Sequence, residues 1–225
     1  MSVLRLDGAR PQDDDPSPLE APIDLVLEPG ELALVHARDH GMARAMTELC
    51  AGVPALAEGR LELFGEDVAT LPRAAAEALR GRIGVGPGED GWLPHMSMEE
   101  SLLLARRHHG ARDLVAVRAE AEALVRHFGL DGIPRASPHE LSRLDRARAG
   151  CARAFLGTPE LLLLESPLDA EAADTLVEPL RRRLDVALAG GAAAVWITRS
   201  HRAWSDPDFP AQHRLRLHRR GLVPA

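Results

Sequence analysis

A chain of 225 residues is long for one compact domain and short for two, which predicts a single domain, residues 1–225, carrying an inserted lobe. Its net charge of −7 excludes a general nucleic-acid binder, which carries a basic face, and only 3% of residues are aromatic, so the core must be built from Leu, Val and Ala. All 27 basic residues are arginine, which removes lysine Schiff bases and any phosphate site that depends on lysine.

Leu4–Leu6 and Ile23–Leu27 read as short strands separated by the acidic, proline-rich PQDDDPSP. Glu31–Val35 is an apolar run suited to a buried strand, and helical spacing resumes over Met42–Cys50 after Gly41. A strand over Arg60–Leu63, a turn at Gly65, a helix over Ala74–Arg80 and a strand over Arg82–Val85 follow. Ser97–Arg107, Asp113–Phe128 and Leu144–Phe155 then share helical periodicity and form an all-helical lobe, about residues 88–157. Strand character returns at LLLLE (Leu161–Glu165), followed by a helix over Ala170–Leu188, a strand over Ala193–Thr198, the alternating HRLRLH and a final GLV. Strands alternating with helices, several of them continuously apolar, predict an α/β fold with a mostly parallel sheet covered on both faces.

Cys50 and Cys151 lie far apart without Cys-x-x-Cys spacing, which suits buried thiols in a reducing compartment and leaves a disulfide open. The start lacks the basic-then-apolar architecture of a secretory signal. The longest apolar run, Val186–Thr198, is too short to cross a bilayer. The expectation is a cytoplasmic protein, peripheral at the inner face of the cell membrane, whose membrane contact is made through a partner.

The order of these pieces resembles the nucleotide-binding subunit of ATP-binding-cassette (ABC) transporters over nearly the whole chain. PGELALV resembles the strand entering the family's Walker A loop, and EGRLELFGEDVATL the turn of its small antiparallel β-subdomain. RIGVGPGEDGWLPHMSMEESLLL is similar to the Q-loop and first helix of the helical lobe. SPHELSRLDRARAGCARAFLGTPELLLLESPL resembles the signature-to-Walker-B segment, and AVWITR with HRLRLHRRGLV the switch strand and closing hairpin. LPRxxxEALRxRIG and WLPHMSMEESLLL are further similar to the subfamily serving lipid-import (MCE-type) permeases. The resemblance implies a P-loop NTPase-like ABC nucleotide-binding domain. It also implies a dimer of such subunits, the same or different, on an integral-membrane permease.

The same alignment finds the family's chemistry altered at each station. The loop of Leu34–Met46, LVHARDHGMARAM, places the degenerate nucleotide site at Ala37, Arg38, Asp39, His40, Gly41, Met42, Ala43, Arg44 and Ala45. Ala43 takes the lysine position, Arg44 and Ala45 the two hydroxyl positions, and Gly41 alone survives of the glycines that let backbone approach phosphate. Asp39, just before a helix, is positioned to cap its free N–H groups and fill the anion site from within; Arg38 or Arg44 is the alternative, a replacement positive charge. The adenine-stacking position falls near Asp13, the Q-loop glutamine becomes Gly88, and the signature LSGGQ reads Leu141-Ser142-Arg143-Leu144-Asp145. The Walker B aspartate becomes Glu165, the catalytic glutamate Ser166 and the switch histidine Arg199, with His201 expected to face elsewhere on a strand or turn.

Serine cannot replace a carboxylate as general base, so no catalytic residue is expected. ATP and magnesium are expected as ligands only if this altered site still binds them. Three functions follow in order: a non-hydrolysing structural or regulatory subunit of a membrane transport complex, one carrying lipid if the MCE-type similarity holds; an ATP-binding and ATP-hydrolysing subunit that uses arginine; and a soluble binding module separated from transport. Outside the site, His36 and His40 flank a strand end and turn as loop residues, and His108-His109 lie on a solvated helix end. Ser142 with Asp145 reads as a helix cap, and Arg181-Arg182-Arg183 as a charged helix face. Trp92 either covers the lobe's core or meets the permease.

Overall fold

The computed structural model describes residues 1–12, 18–88, 91–110, 113–169 and 174–224. The chain opens with β1 (Leu4–Pro11), β2 (Ile23–Leu27) and β3 (Leu32–His36), then α1 (His40–Cys50), β4 (Leu56–Leu63) and β5 (Glu66–Asp67). It continues through α2 (Arg73–Arg80), β6 (Ile83–Gly86), α3 (Met98–His108), α4 (Leu114–His127), α5 (Arg143–Phe155) and β7 (Leu161–Glu165). It closes with α6 (Asp174–Ala189), β8 (Ala193–Thr198), α7 (His201–Ser205), β9 (His213–His218) and β10 (Gly221–Pro224).

Two sheets result. An antiparallel one runs β2-β1-β4-β5, and a larger one runs β10-β9-β3-β8-β7-β6, parallel throughout except at the β9–β10 hairpin. The parallel strands are apolar on both faces because each face meets its own core. In β7, Leu162 and Leu164 join the core under the helical lobe while Leu161 and Leu163 join the core shared with α1 and the antiparallel sheet. Leu32 and Leu34 of β3 divide from Ala33 and Val35 in the same way, as a period of two requires. Helix α1 is buried along Met42, Met46 and Leu49, the stripe that faces a core at helical spacing.

The helical lobe is held to the parallel sheet by α5, whose second half lies on β6. Gly84 permits this: a Cβ there would collide with the carbonyl oxygen of Ala154. Side chains cap the lobe's helices as their sequences predict. Ser97 and Glu100 form a capping box on α3, and Asp113 accepts from the Ala116 amide at 2.9 Å on α4.

Most predicted elements stand within a few residues of their expected bounds. The first strand is longer than expected because Gly8, with φ of 57°, lets β1 bend and keep pairing with β2 as far as Ala9 and with β4 as far as Pro11. The two-residue β5 and the single-turn α7 fall below any useful window of sequence periodicity. The first four residues of the predicted Ala170–Leu188 helix lie outside the described residues; its described part runs from Asp174 to Ala189. No described helix is long and apolar enough to cross a membrane.

Candidate functional site

Strand β3 delivers the chain to the N-terminus of α1, where a phosphate would meet free backbone amides. The Asp39 carboxylate already sits there: its Oδ1 accepts from the Met42 amide at 2.8 Å, as the N-cap of α1. Helical hydrogen bonding begins at once, with the Ala43 amide donating to the Asp39 carbonyl at 3.2 Å. Across Ala37–Ala45 no residue has a positive φ, Gly41 included, so the right-left alternation that aims successive amides into an anion nest is missing. Ala43 is 0% exposed, packed into the core between the sheets, with Ala45 packed against that same core. Arg38 is exposed, and Arg44 pairs with Glu48 one turn along the helix at 2.8 Å.

The C-terminal ends of β6, β7 and β8 converge beside α1 and α5 on a cavity of about 20 Å³, room for one water. It gathers His40, Gly88, Arg143, Glu165, Ser166 and Arg199 from five separate stretches of sequence. At Gly88 the Glu165 carboxylate stands 2.4 Å from where a Cβ would go, so a side chain there would displace it. Ser166 takes a left-handed conformation, φ 53°, with its amide donating to the Ile197 carbonyl at 2.7 Å. Its buried hydroxyl finds no hydrogen-bond partner among the described residues.

Asp169 is the organiser of this cavity that sequence reasoning missed. Its side chain is 7% exposed; it accepts from the Thr198 hydroxyl at 2.8 Å and the Arg199 amide at 3.1 Å, and forms an ion pair with the Arg199 Nε at 3.1 Å. The guanidinium in the switch position is therefore tied down by a carboxylate of its own chain. The partners lie about thirty residues apart, and no local pattern could pair them. Arg146 was missed as well; its Nη1 donates to the carbonyls of Pro138, at 3.2 Å, and Leu141, at 2.7 Å, fastening the loop before α5.

Ser142 caps α5 as expected. Its Oγ accepts from the Asp145 amide at 3.0 Å and donates to the Asp145 carboxylate at 2.8 Å. Arg143 exposes its flank beside this cap and lines the cavity of its own chain. The adenine-stacking position near Asp13 lies outside the described residues.

Several expectations are corrected. His40 belongs to the first turn of α1, not a loop, because the Asp39 cap starts the helix two residues earlier than predicted. His36, at the end of β3, packs near His201 and Trp204, with ring centroids 6.1 and 5.9 Å away. Partial burial holds the His36 pKa below its ordinary value of 6.5, opposed by a hydrogen bond to the Arg199 backbone and lowered further by His201 and Arg216. His201 opens a helix instead of continuing a strand or turn, since Ser200 accepts from the Ala203 amide and caps it. Arg183 departs from the charged face of Arg181 and Arg182: its guanidinium lies 5.7 Å over the Phe155 ring, so the face narrows to two residues. Trp92 is buried in the lobe's core. Cys50 and Cys151 are free thiols, each pushed up to about 12 by burial. Among the described residues no group of three His, Cys, Asp or Glu side chains is placed to hold a metal.

This architecture has solved counterparts. An ATP-binding subunit of an ABC transporter superposes with a TM-score of 0.77 at 18% identity, covering 98% of this chain and 88% of that one. A dimeric ATP-binding cassette, MJ0796, in a post-hydrolysis state bound to ADP and phosphate, gives 0.76 at 17% identity, covering 99% and 96%. Among curated proteins, the cytochrome c biogenesis ATP-binding export protein CcmA of Cupriavidus necator is 31% identical over 173 residues, 77% of this chain and 73% of its own. The methionine import ATP-binding protein MetN 2 of Enterococcus faecalis is 29% identical over 161 residues, 70% of this chain but 46% of its own, so the chain spans about half the length of such relatives. The model of the ABC transporter family matches residues 45–169, more than half of the chain and the stretch that holds α5 and β7. By sequence and by architecture together, the chain belongs to the ABC transporter family.

Proposed function

We propose that this chain is an ATP-binding-type ABC subunit, one domain over residues 1–225 with its helical lobe at about 88–157, that serves a transport complex without hydrolysing ATP. The observation that carries this reading is Asp39. Its carboxylate occupies the helix terminus that would receive phosphate, bonded to the Met42 amide at 2.8 Å. A triphosphate arriving there would meet a fixed negative charge in place of a nest and a lysine. The neighbouring stations support the same conclusion. The Glu165 carboxylate fills the side-chain space of Gly88, Ser166 offers no carboxylate base, and Arg199 is held by Asp169. These residues do not fit a magnesium nucleotide.

Relatives named as import and export ATP-binding proteins, and a structural neighbour described as dimeric, support a role beside an integral-membrane permease and a second ABC subunit, at the inner face of the cell membrane. There the chain would act as a structural or regulatory partner. Calorimetric titration with Mg-ATP tests the reading: no saturable binding is expected up to millimolar nucleotide, and micromolar affinity would sink it.

A further inference from the structure

A cavity of about 370 Å³ lies at the N-terminal ends of β7 and β8, the opposite end of these strands from the nucleotide-like site. Its walls are the C-terminal turns of α5 and α6 and the loops that lead into the two strands. That volume falls within the roughly 300–1,000 Å³ of small-molecule pockets. Phe155, Pro159 and Ala187 give it apolar wall, together with Val186, which is 65% exposed.

Among the described residues that line the cavity, Arg183 is the one cation. It leaves the charged face of α6 to lie 5.7 Å over the Phe155 ring, and its buried Nε has no hydrogen-bond partner among the described residues. The carboxylates around it are committed to other arginines. Glu178 pairs with Arg181 and Arg182, and Glu160 accepts from the Nε and Nη2 of Arg82 at 2.7 and 2.6 Å. Arg183 makes no ion pair among the described residues.

Thr158 is the second polar group on the wall. Its φ of 50° is left-handed, an outlier for a β-branched side chain. Strain of this kind persists where the surrounding structure holds it, and it clusters at ligand sites. Bare carbonyls at a helix C-terminus repel an anion, but those of α6 are occupied: Val186, Ala187 and Leu188 accept from the amides of Gly190, Ala192 and Gly191 at 3.1, 3.0 and 2.9 Å.

These features select the ligand. A partly desolvated guanidinium without a counter-charge is costly, and an oxyanion held by its planar fork relieves that cost. One such cation is balanced by a monoanion, whereas a dianion would leave excess negative charge beside Glu160. The apolar wall requires a hydrocarbon body, and a recess of this volume accepts a free small molecule. We propose that this cavity binds a free monocarboxylic acid with a compact apolar body. Its carboxylate engages Arg183 and the Thr158 hydroxyl while its body lies on Pro159, Val186 and Ala187.

Calorimetry on the full chain tests this with phenylacetate, its neutral isostere phenylacetamide, and inorganic phosphate. Phenylacetate is expected to bind saturably at one site per chain, with phenylacetamide and phosphate each about tenfold or more weaker. Arg183→Gln is expected to weaken phenylacetate by about tenfold, whereas Arg182→Gln, which removes the same charge from the exposed face, should leave its affinity unchanged. Val186→Glu, at an exposed wall position, places a carboxylate against the ligand's own and should weaken it by about tenfold, with thermal melting checking the fold of each variant. No saturable phenylacetate binding at millimolar concentration, amide or phosphate binding as tight as the acid, equal losses in Arg182→Gln and Arg183→Gln, or an affinity that a folded Arg183→Gln or Val186→Glu leaves unchanged would overturn the proposal.

Discussion

At the residue scale, Asp39 combines a structural and an excluding role in one carboxylate. As N-cap it satisfies the Met42 amide, and caps of this kind are worth about 1 kcal/mol. Asp39→Ala is therefore expected to lower stability by about 1 kcal/mol in urea denaturation while strengthening Mg-ATP binding in calorimetry. A loss of stability with no gain in binding would leave the cap and remove the excluding role. Ser166 is the opposite case, a residue out of keeping with its place. With φ at 53° and a buried hydroxyl without a partner, it holds a conformation that costs a side-chain-bearing residue about 1–2 kcal/mol. Ser166→Gly should stabilise the chain by about 1 kcal/mol and raise the melting temperature by roughly 2–4 °C; a lower melting temperature would mean that the hydroxyl is needed.

At the element scale, the loops after β7 and β8 are joined through Asp169, which accepts from Thr198 and Arg199. Hydrogen bonds to a buried charge are worth about 1.5–3 kcal/mol each, and removing one member of a buried pair costs more than removing an exposed one. Asp169→Ala should then cost about 3 kcal/mol, and Arg199→Gln less, because Thr198 and the backbone amide still serve the carboxylate. Equal urea midpoints for the two variants would show that Asp169 does not organise the pair of loops. The helical lobe follows the same logic of close approach. Gly84 admits α5 onto β6, and Arg146 fastens the loop preceding α5 to the helix itself. The nucleotide-like cavity is lined from that same junction by Gly86, Gly150 and Cys151.

At the scale of the whole molecule, stability should depend on pH through His36. Its folded pKa lies below the ordinary 6.5 because partial burial opposes its charge. The unfolded chain therefore binds the proton more readily, and the contribution of this group is fully present above about pH 6.5 and lost as pH falls toward the folded value. Urea denaturation between pH 7.5 and 5 should show falling stability, with a shallower fall in His36→Gln; identical slopes would remove His36 from the account.

The alternation of apolar and polar residues was enough to read β2 to the residue, continuous apolar runs did the same for β7 and β8, and helical spacing found α1 to α5, because each pattern reflects burial on one or two faces. The caps Asp39 and Ser142 were legible for the same reason: they act on amides two or three residues away. Substitution at the lysine, glutamine, carboxylate and histidine positions was also plain in the letters, at Ala43, Gly88, Ser166 and Arg199. What those substitutions do to one another was decided by tertiary structure alone. That Glu165 stands in the space of Gly88 and that Asp169 restrains Arg199 are contacts between distant segments. No local period or spacing encodes them, because they arise only when β6, β7 and β8 are brought side by side and α5 is laid across them.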